Sequence, residues 1–130
     1  MSFKQSDEEW RMKLSDLEYK VLRKNGTERA NTGQYTDHFE KTGTYHCKGC
    51  DAPLYTSSHK FHSGCGWPAF FDAIPGAVTL KEDNSFGMVR VECRCAKCDS
   101  HLGHLFKGEK FNNPIDQRYC INSVCLNFKK

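Results

Sequence analysis

Apolar and polar positions are spaced differently in the two parts of this chain. Up to residue 24, Leu14, Leu17, Val21 and Leu22 recur at helical spacing and fall on one face. Two capping boxes, Ser6-Asp7-Glu8-Glu9 and Ser15-Asp16-Leu17-Glu18, mark helix starts. They predict a short helix from Ser6 and a second from Ser15, ending near Asn25-Gly26, where Gly26 can take the left-handed conformation. From Gly33 onward the texture changes to short runs of Tyr, Phe, Thr and Val between Gly, Pro, Asn and Asp. These predict strands at 43–46, 54–55, 77–81, 89–94, 102–106 and 118–126. In the last strand Cys120 shares a face with Asn122, and Cys125 takes the other. The expectation is one domain over 1–130, a helical lead-in (1–32) followed by a mainly β, mostly antiparallel core (33–130).

The composition is that of a folded globular protein, with 27% charged and 38% hydrophobic residues and nine Phe, five Tyr and two Trp to pack. The net charge of +3 is spread along the chain, so it gives poor support to a nucleic-acid or membrane partner. The first residues, "MSFKQSDEEWRMKLS", carry no apolar run of a signal peptide or membrane span and lack the look of a transit peptide. The default expectation is the cytoplasm or another reducing compartment, with an organelle open if a presequence precedes this chain. Eight cysteines in such a setting are ligands, catalysts or core residues before they are disulfides. The sequon Asn25-Gly26-Thr27 fits the alternative of a secreted, disulfide-stabilised protein.

Two Cys-x-x-Cys knuckles, Cys47-Lys48-Gly49-Cys50 and Cys95-Ala96-Lys97-Cys98, offer four thiolates for one tetrahedral ion. The long spacer costs roughly 1 kcal/mol of loop entropy, against on the order of 10 kcal/mol from structural zinc. Four protein ligands leave no open position, so zinc here is structural. Cys93, just before the second knuckle, is expected to be a core or surface thiol.

Of the other cysteines, Cys65 lies between glycines in Ser63-Gly64-Cys65-Gly66-Trp67-Pro68, a mobile setting that suits approach to another sulfur. His101 and His104, three residues apart, are candidate proton donors. Cys120 has Arg118, whose cation favours a thiolate, and Asn122, a hydrogen-bond donor, as neighbours. Locally it remains open whether Cys120 is a nucleophile or a buried thiol. Cys125 is expected in the core.

The ordered set Cys47-x-x-Cys50, "SGCGWPAF" (63–70), "CAKCDSHLGHLF" (95–106) and "RYCINS" (118–123), with "EEW...VLRKNGTERANTG" upstream, closely resembles the methionine sulfoxide reductase B family. The resemblance spans nearly the whole chain. It implies a zinc-clipped fold of two antiparallel sheets and reduction of the R epimer of methionine sulfoxide, a protein-repair reaction under oxidative stress. By motif it makes Cys120 the nucleophile, Cys65 the resolving cysteine, and Cys47, Cys50, Cys95 and Cys98 the zinc ligands. Trp67 would face the substrate methyl, and His101, His104, Arg118 and Asn122 would form the polar side.

A sulfoxide needs both a thiolate and protonation of its oxygen. Cys120 would supply the first, its pKa lowered by Arg118 and Asn122; His104, or a water held by His101 and His104, would supply the second. A sulfenic acid on Cys120 would condense with Cys65, and thioredoxin would reduce the disulfide. Phe106 or Phe70 is expected beside Trp67 in a shallow, solvent-open site. The implied partners are thioredoxin and oxidised proteins, with the enzyme a monomer and neither nucleic acid nor membrane involved. One departure stands out: many relatives read Asp-Gly-Pro where this chain has Lys107-Gly108-Glu109, so Glu109 replaces the acid only if its loop bends inward. A zinc-ribbon nucleic-acid module is the rival class, and it leaves Cys65 and Cys120 without a purpose.

Overall fold

The computed structural model of the protein describes residues 5–83 and 90–130. Among the described residues, helix α1 (Asp7–Lys13) and helix α2 (Asp16–Lys24) lead into nine strands. Both capping boxes form: Ser6 and Ser15 accept from the amides of Glu9 and Glu18, whose carboxylates bond back to the cap amides. Helix α2 ends on Asn25, not Gly26: Asn25 takes the left-handed conformation at φ 57°, which asparagine tolerates better than other non-glycine residues. Val21 and Leu22 are fully buried and Leu14 nearly so, whereas Leu17 in the first turn of α2 is 47% exposed.

The strands are β1 (Thr44–Cys47), β2 (Pro53–Thr56), β3 (Lys60–Phe61), β4 (Ala69–Phe70), β5 (Val78–Asp83), β6 (Arg90–Cys95), β7 (His101–Lys107), β8 (Gln117–Ile121) and β9 (Leu126–Lys129). They form two antiparallel sheets, β2-β1-β9 and β3-β4-β8-β7-β6-β5. The pattern expected from sequence therefore holds, with two exceptions. The strand expected over 118–126 is interrupted by a 3₁₀ turn at Ser123–Cys125, and strands β3 and β4, of two residues each, are too short to produce an alternation. The expected start of the 89–94 strand at residue 89 lies outside the described residues.

Strand alternation divides the large sheet into two faces. Cys93, Leu105, Tyr119 and Ile121 are buried on one of them and join the core, where Tyr55 stacks on Phe70 at 4.3 Å and Tyr45 meets Phe70 at 5.2 Å. Burying a ring such as Phe70 contributes about 1.5–3 kcal/mol. The opposite face carries His104, Phe106, Arg118 and Cys120, placed there by the registers His104↔Cys120 and Phe106↔Arg118.

Candidate active site and metal centre

The two knuckles share one local geometry. Cys47 and Cys95 end β1 and β6. In each, the amide of the residue after the second cysteine, Asp51 or Asp99, donates to the carbonyl of the first cysteine at 2.8 and 2.9 Å. Asp51 and Asp99 both take left-handed φ, 66° and 59°, so the turn is closed by the residue after each knuckle. The four sulfurs are buried and lie within 4.8 Å of one another, with Cys47–Cys98 and Cys50–Cys95 at 3.6 Å. Tetrahedral zinc with sulfur ligands spaces its sulfurs by about 3.8 Å, so the donor set fits a metal ion closely. Without a cation, hydrogen bonds to Cys50, Cys95 and Cys98, together with burial, hold the Cys47 thiol far above its ordinary range. A bound cation reverses that, because it stabilises thiolates. The lead-in helices pack on this cluster: Trp10 of α1 lies against Gly49, and Arg23 of α2 stacks over Trp10 at 4.4 Å and donates to the Cys98 carbonyl at 2.9 Å.

On the other face of the large sheet, a cleft is lined by Thr27, Trp67, Arg90, Gly103, His104, Phe106, Cys120 and Asn122. It opens to solvent, and its apolar walls are Trp67 and Phe106. Phe70, expected as a possible wall, is instead fully buried in the core. Gly103 is required at the floor, since a Cβ there would lie 2.0 Å from the Cys120 carbonyl oxygen. The Trp67 ring is pinned by its Nε1 donating to the Glu28 carbonyl at 3.0 Å.

Cys120 lines this cleft and Cys65 a neighbouring pocket that shares Trp67, and their sulfurs lie 3.5 Å apart, both half-buried. The proximity follows from β4 pairing with β8, where Ala69 sits opposite Cys120, so the loop running into β4 passes beside the strand. Gly64 and Gly66 adopt φ of 78° and 92°, which a side chain would strain. The Cys65 sulfur also donates to the Trp67 carbonyl at 3.2 Å. In this pair the acidity is the reverse of the expectation. The hydrogen bond from Cys120 lowers the Cys65 thiol to about 5, whereas the same contact, with burial, raises Cys120 well above its ordinary value. The Arg118 cation lowers Cys120 as expected, but it is outweighed while Cys65 remains in contact.

Arg118 lies over the Phe106 ring at 4.5 Å and is held by a two-pronged bond to Glu109, at 2.7 and 3.0 Å. The loop after β7 thus brings Glu109 onto Arg118, with Glu109 itself exposed and outside the lining of the cleft. Asn122 is committed on both ends of its amide: Oδ1 accepts from the Glu28 amide and Nδ2 donates to the Leu102 carbonyl, each at 2.9 Å.

His104 lines the cleft, but His101 stands behind it, 2% exposed, with the two rings edge to face at 5.5 Å. A water shared equally by both in the cleft is therefore not what this geometry offers. Cys125 is fully buried, as expected, although the 3₁₀ turn rather than strand parity puts it there, and its sulfur donates to the His101 carbonyl at 3.3 Å. Cys93 is a core thiol beside the Tyr55 hydroxyl at 3.2 Å. Sequence reasoning missed Thr27, Arg90 and Glu28. Glu28 is only 2% exposed and ties the lead-in to Asn122 just after β8, to Trp67 and, through its carboxylate, to the Val124 amide. Only its place in the quoted upstream stretch hinted at a role.

Comparison with known proteins agrees with this geometry. Residues 14–130 match the SelR domain family. The chain is 55% identical over 127 residues to peptide methionine sulfoxide reductase B8 of Arabidopsis thaliana, covering 98% of this chain and 87% of that protein. It is 53% identical over 127 residues to peptide methionine sulfoxide reductase B3 of the same plant, covering 98% of this chain and 70% of that protein. Among solved structures, the Mis18 'Yippee-like' domain superposes with a TM-score of 0.54 at 17% identity, over 69% of this chain and 97% of that one, a likeness of fold alone. With the four-cysteine cluster, the paired thiols and a family match over nearly its whole length, the chain belongs to the SelR family, the methionine sulfoxide reductases of type B.

Proposed function

We propose that the protein reduces the R epimer of methionine sulfoxide, free or in oxidised proteins, through a Cys120 sulfenic acid and a Cys65–Cys120 disulfide recycled by thioredoxin. The observation that carries this reading is the pair of sulfurs at 3.5 Å on a cleft walled by Trp67, Phe106 and His104. Either sulfur of the pair can be the donor, so when Cys65 carries the proton its hydrogen bond stabilises a Cys120 thiolate. Its charge is then supported by Arg118, itself oriented by Glu109. The thioether methyl group packs against the rings of Trp67 and Phe106, and His104 is within the cleft to protonate the sulfoxide oxygen.

Oxygen passes to the Cys120 sulfur, leaving methionine and a sulfenic acid. Condensation with the Cys65 thiol forms the S–S bond and releases water. A low-potential dithiol of the thioredoxin class then restores both thiols. The four-cysteine cluster is assigned to structural zinc, held by Cys47, Cys50, Cys95 and Cys98. Its contribution is to folding, because four protein thiolates leave no open position for substrate. The protein is assigned to a reducing compartment, by default the cytoplasm, on the basis of its cysteine chemistry.

The test is a thioredoxin-coupled assay on separated sulfoxide epimers, with Cys120→Ser as the control. Turnover of the R epimer that vanishes in the variant is expected. Activity on the S epimer alone, or on neither, contradicts the assignment.

A further inference from the structure

Glu92 has no part in the steps above, yet it stands in the same row as the reacting groups. It lies on β6 directly across from His104 of β7, which lies across from Cys120 of β8, and such cross-strand neighbours project from one face of a sheet. Its side chain is only 10% exposed, and a carboxylate so enclosed requires charged or hydrogen-bonding partners. Its Oε2 accepts from His101 Nδ1 at 2.6 Å and from Arg94 at 2.7 Å.

His101 reaches this row because of an irregularity in β7. Three residues from His104, it would face the other way on a regular strand. Instead the register shifts after Cys93↔Gly103 to Arg94↔His101, with Leu102 as the extra residue. A bulge of this kind re-aims a side chain, and it turns the His101 ring onto Glu92 and against His104. With Nδ1 occupied, the other ring nitrogen, Nε2, is buried with no hydrogen-bond partner among the described residues.

On the reductase reading given above, we propose that Glu92 is a positioning residue for the proton donor: it fixes the tautomer of His101, favours its protonated form and holds the ring against His104. His104 faces the substrate, and His101 behind it shares and replenishes the proton. That proton goes to the sulfoxide oxygen as the oxygen leaves the substrate sulfur for Cys120, and water reprotonates the imidazoles afterwards.

The groups facing His101 are Glu92 and Arg94 from β6 and His104 on its own strand, while the Cys125 thiol bonds its carbonyl. Burial above all, then His104 and Arg94, hold the His101 pKa below the ordinary imidazole value, and Glu92 alone among these groups favours the protonated ring, offsetting burial in part. Removing the carboxylate charge therefore lowers the pH at which His101 releases its proton.

The experiment uses Glu92→Gln, which keeps the shape and an acceptor, and Glu92→Asp, which keeps the charge. His101 is titrated by ring-nitrogen NMR in a Cys120→Ser background, and single-turnover reduction is followed against pH in the Cys120-containing protein. In Glu92→Gln, the His101 titration and the alkaline limb of the rate profile are expected to move together to lower pH. The rate near neutral pH is expected to fall about 10- to 100-fold, as when a partner orienting a functional histidine is lost. Glu92→Asp should restore the position of the limb. An unmoved titration, or a reduced rate with the limb in place, overturns the proposal and leaves Glu92 a structural role. If the wild-type protein reduces no sulfoxide, the reductase reading fails while the NMR titration still decides the Glu92–His101 relation.

Discussion

Sulfur meets sulfur at nearly the same distance in two regions of this molecule, 3.6 Å in the four-cysteine cluster and 3.5 Å between Cys65 and Cys120. The cluster is buried and closed by two turns with the same hydrogen bond and the same left-handed residue after each knuckle. The pair is half-buried, and one member sits on a loop with glycines on either side. What separates a metal site from a redox site here is not contact distance but the number of sulfurs, their enclosure and the freedom of the backbone carrying them. Four enclosed thiols need a cation to ionise together. Two thiols open to solvent can exchange a proton and, after oxidation, a bond.

The largest effect should come from breaking the enclosed region. Cys98→Ala, or chelation of the proposed zinc, removes a contribution on the order of 10 kcal/mol, comparable to the whole stability of a typical domain. Far-ultraviolet circular dichroism should show a largely unfolded protein, and an unchanged melting profile would remove the metal from the account. Next is Cys120→Ser, which should keep the fold and lower reduction on the order of 10⁴-fold, the scale lost when a nucleophile that works with its partners is removed.

Cys65→Ser should abolish turnover with thioredoxin while leaving one stoichiometric reduction, read by methionine formed per enzyme. Continued turnover would assign the resolving role elsewhere. The pair's acidity gives a gentler test. With the Cys65 thiol lowered to about 5, its thiolate persists above that pH and is lost as pH falls through it. Iodoacetamide labelling of Cys65 in the reduced protein should therefore stay fast in mildly acidic buffer. A rate that titrates near the ordinary thiol value of about 8.5 would mean that the hydrogen bond from Cys120 does not form in solution. The smallest effect is expected from Glu109→Gln, which loosens Arg118 without removing it. Its partly exposed position limits the cost to a several-fold loss of single-turnover rate.

How far each feature was legible from sequence depends on whether its cause is local. The capping boxes at Ser6 and Ser15 and both knuckles are set within a few residues, and each has the form expected of it. The alternation of Arg118 and Cys120 on one face of β8 was also readable, because it needs only strand period. It failed beyond Asn122, where a 3₁₀ turn absorbs Ser123 to Cys125. The bulge at Leu102 has no signature in His-Leu-Gly-His itself, so the meeting of His101 with His104 on one row, which strand parity alone would forbid, could not be foreseen. The contact of Cys65 with Cys120 depends on a two-residue strand, β4, and the sequence pointed to that partnership through a family resemblance, not through spacing. Glu28, Thr27 and Arg90 reach the site from distant segments, which no local pattern encodes.

The central claim is that Cys120 takes the oxygen and Cys65 takes up the oxidation. It is tested most directly by treating reduced protein with one equivalent of R methionine sulfoxide and mapping the products by peptide mass spectrometry. The wild-type protein should yield a single Cys65–Cys120 disulfide, and Cys65→Ser should carry a dimedone-trapped sulfenic acid on Cys120. A sulfenic acid on Cys65, or a disulfide that excludes Cys120, would contradict the account.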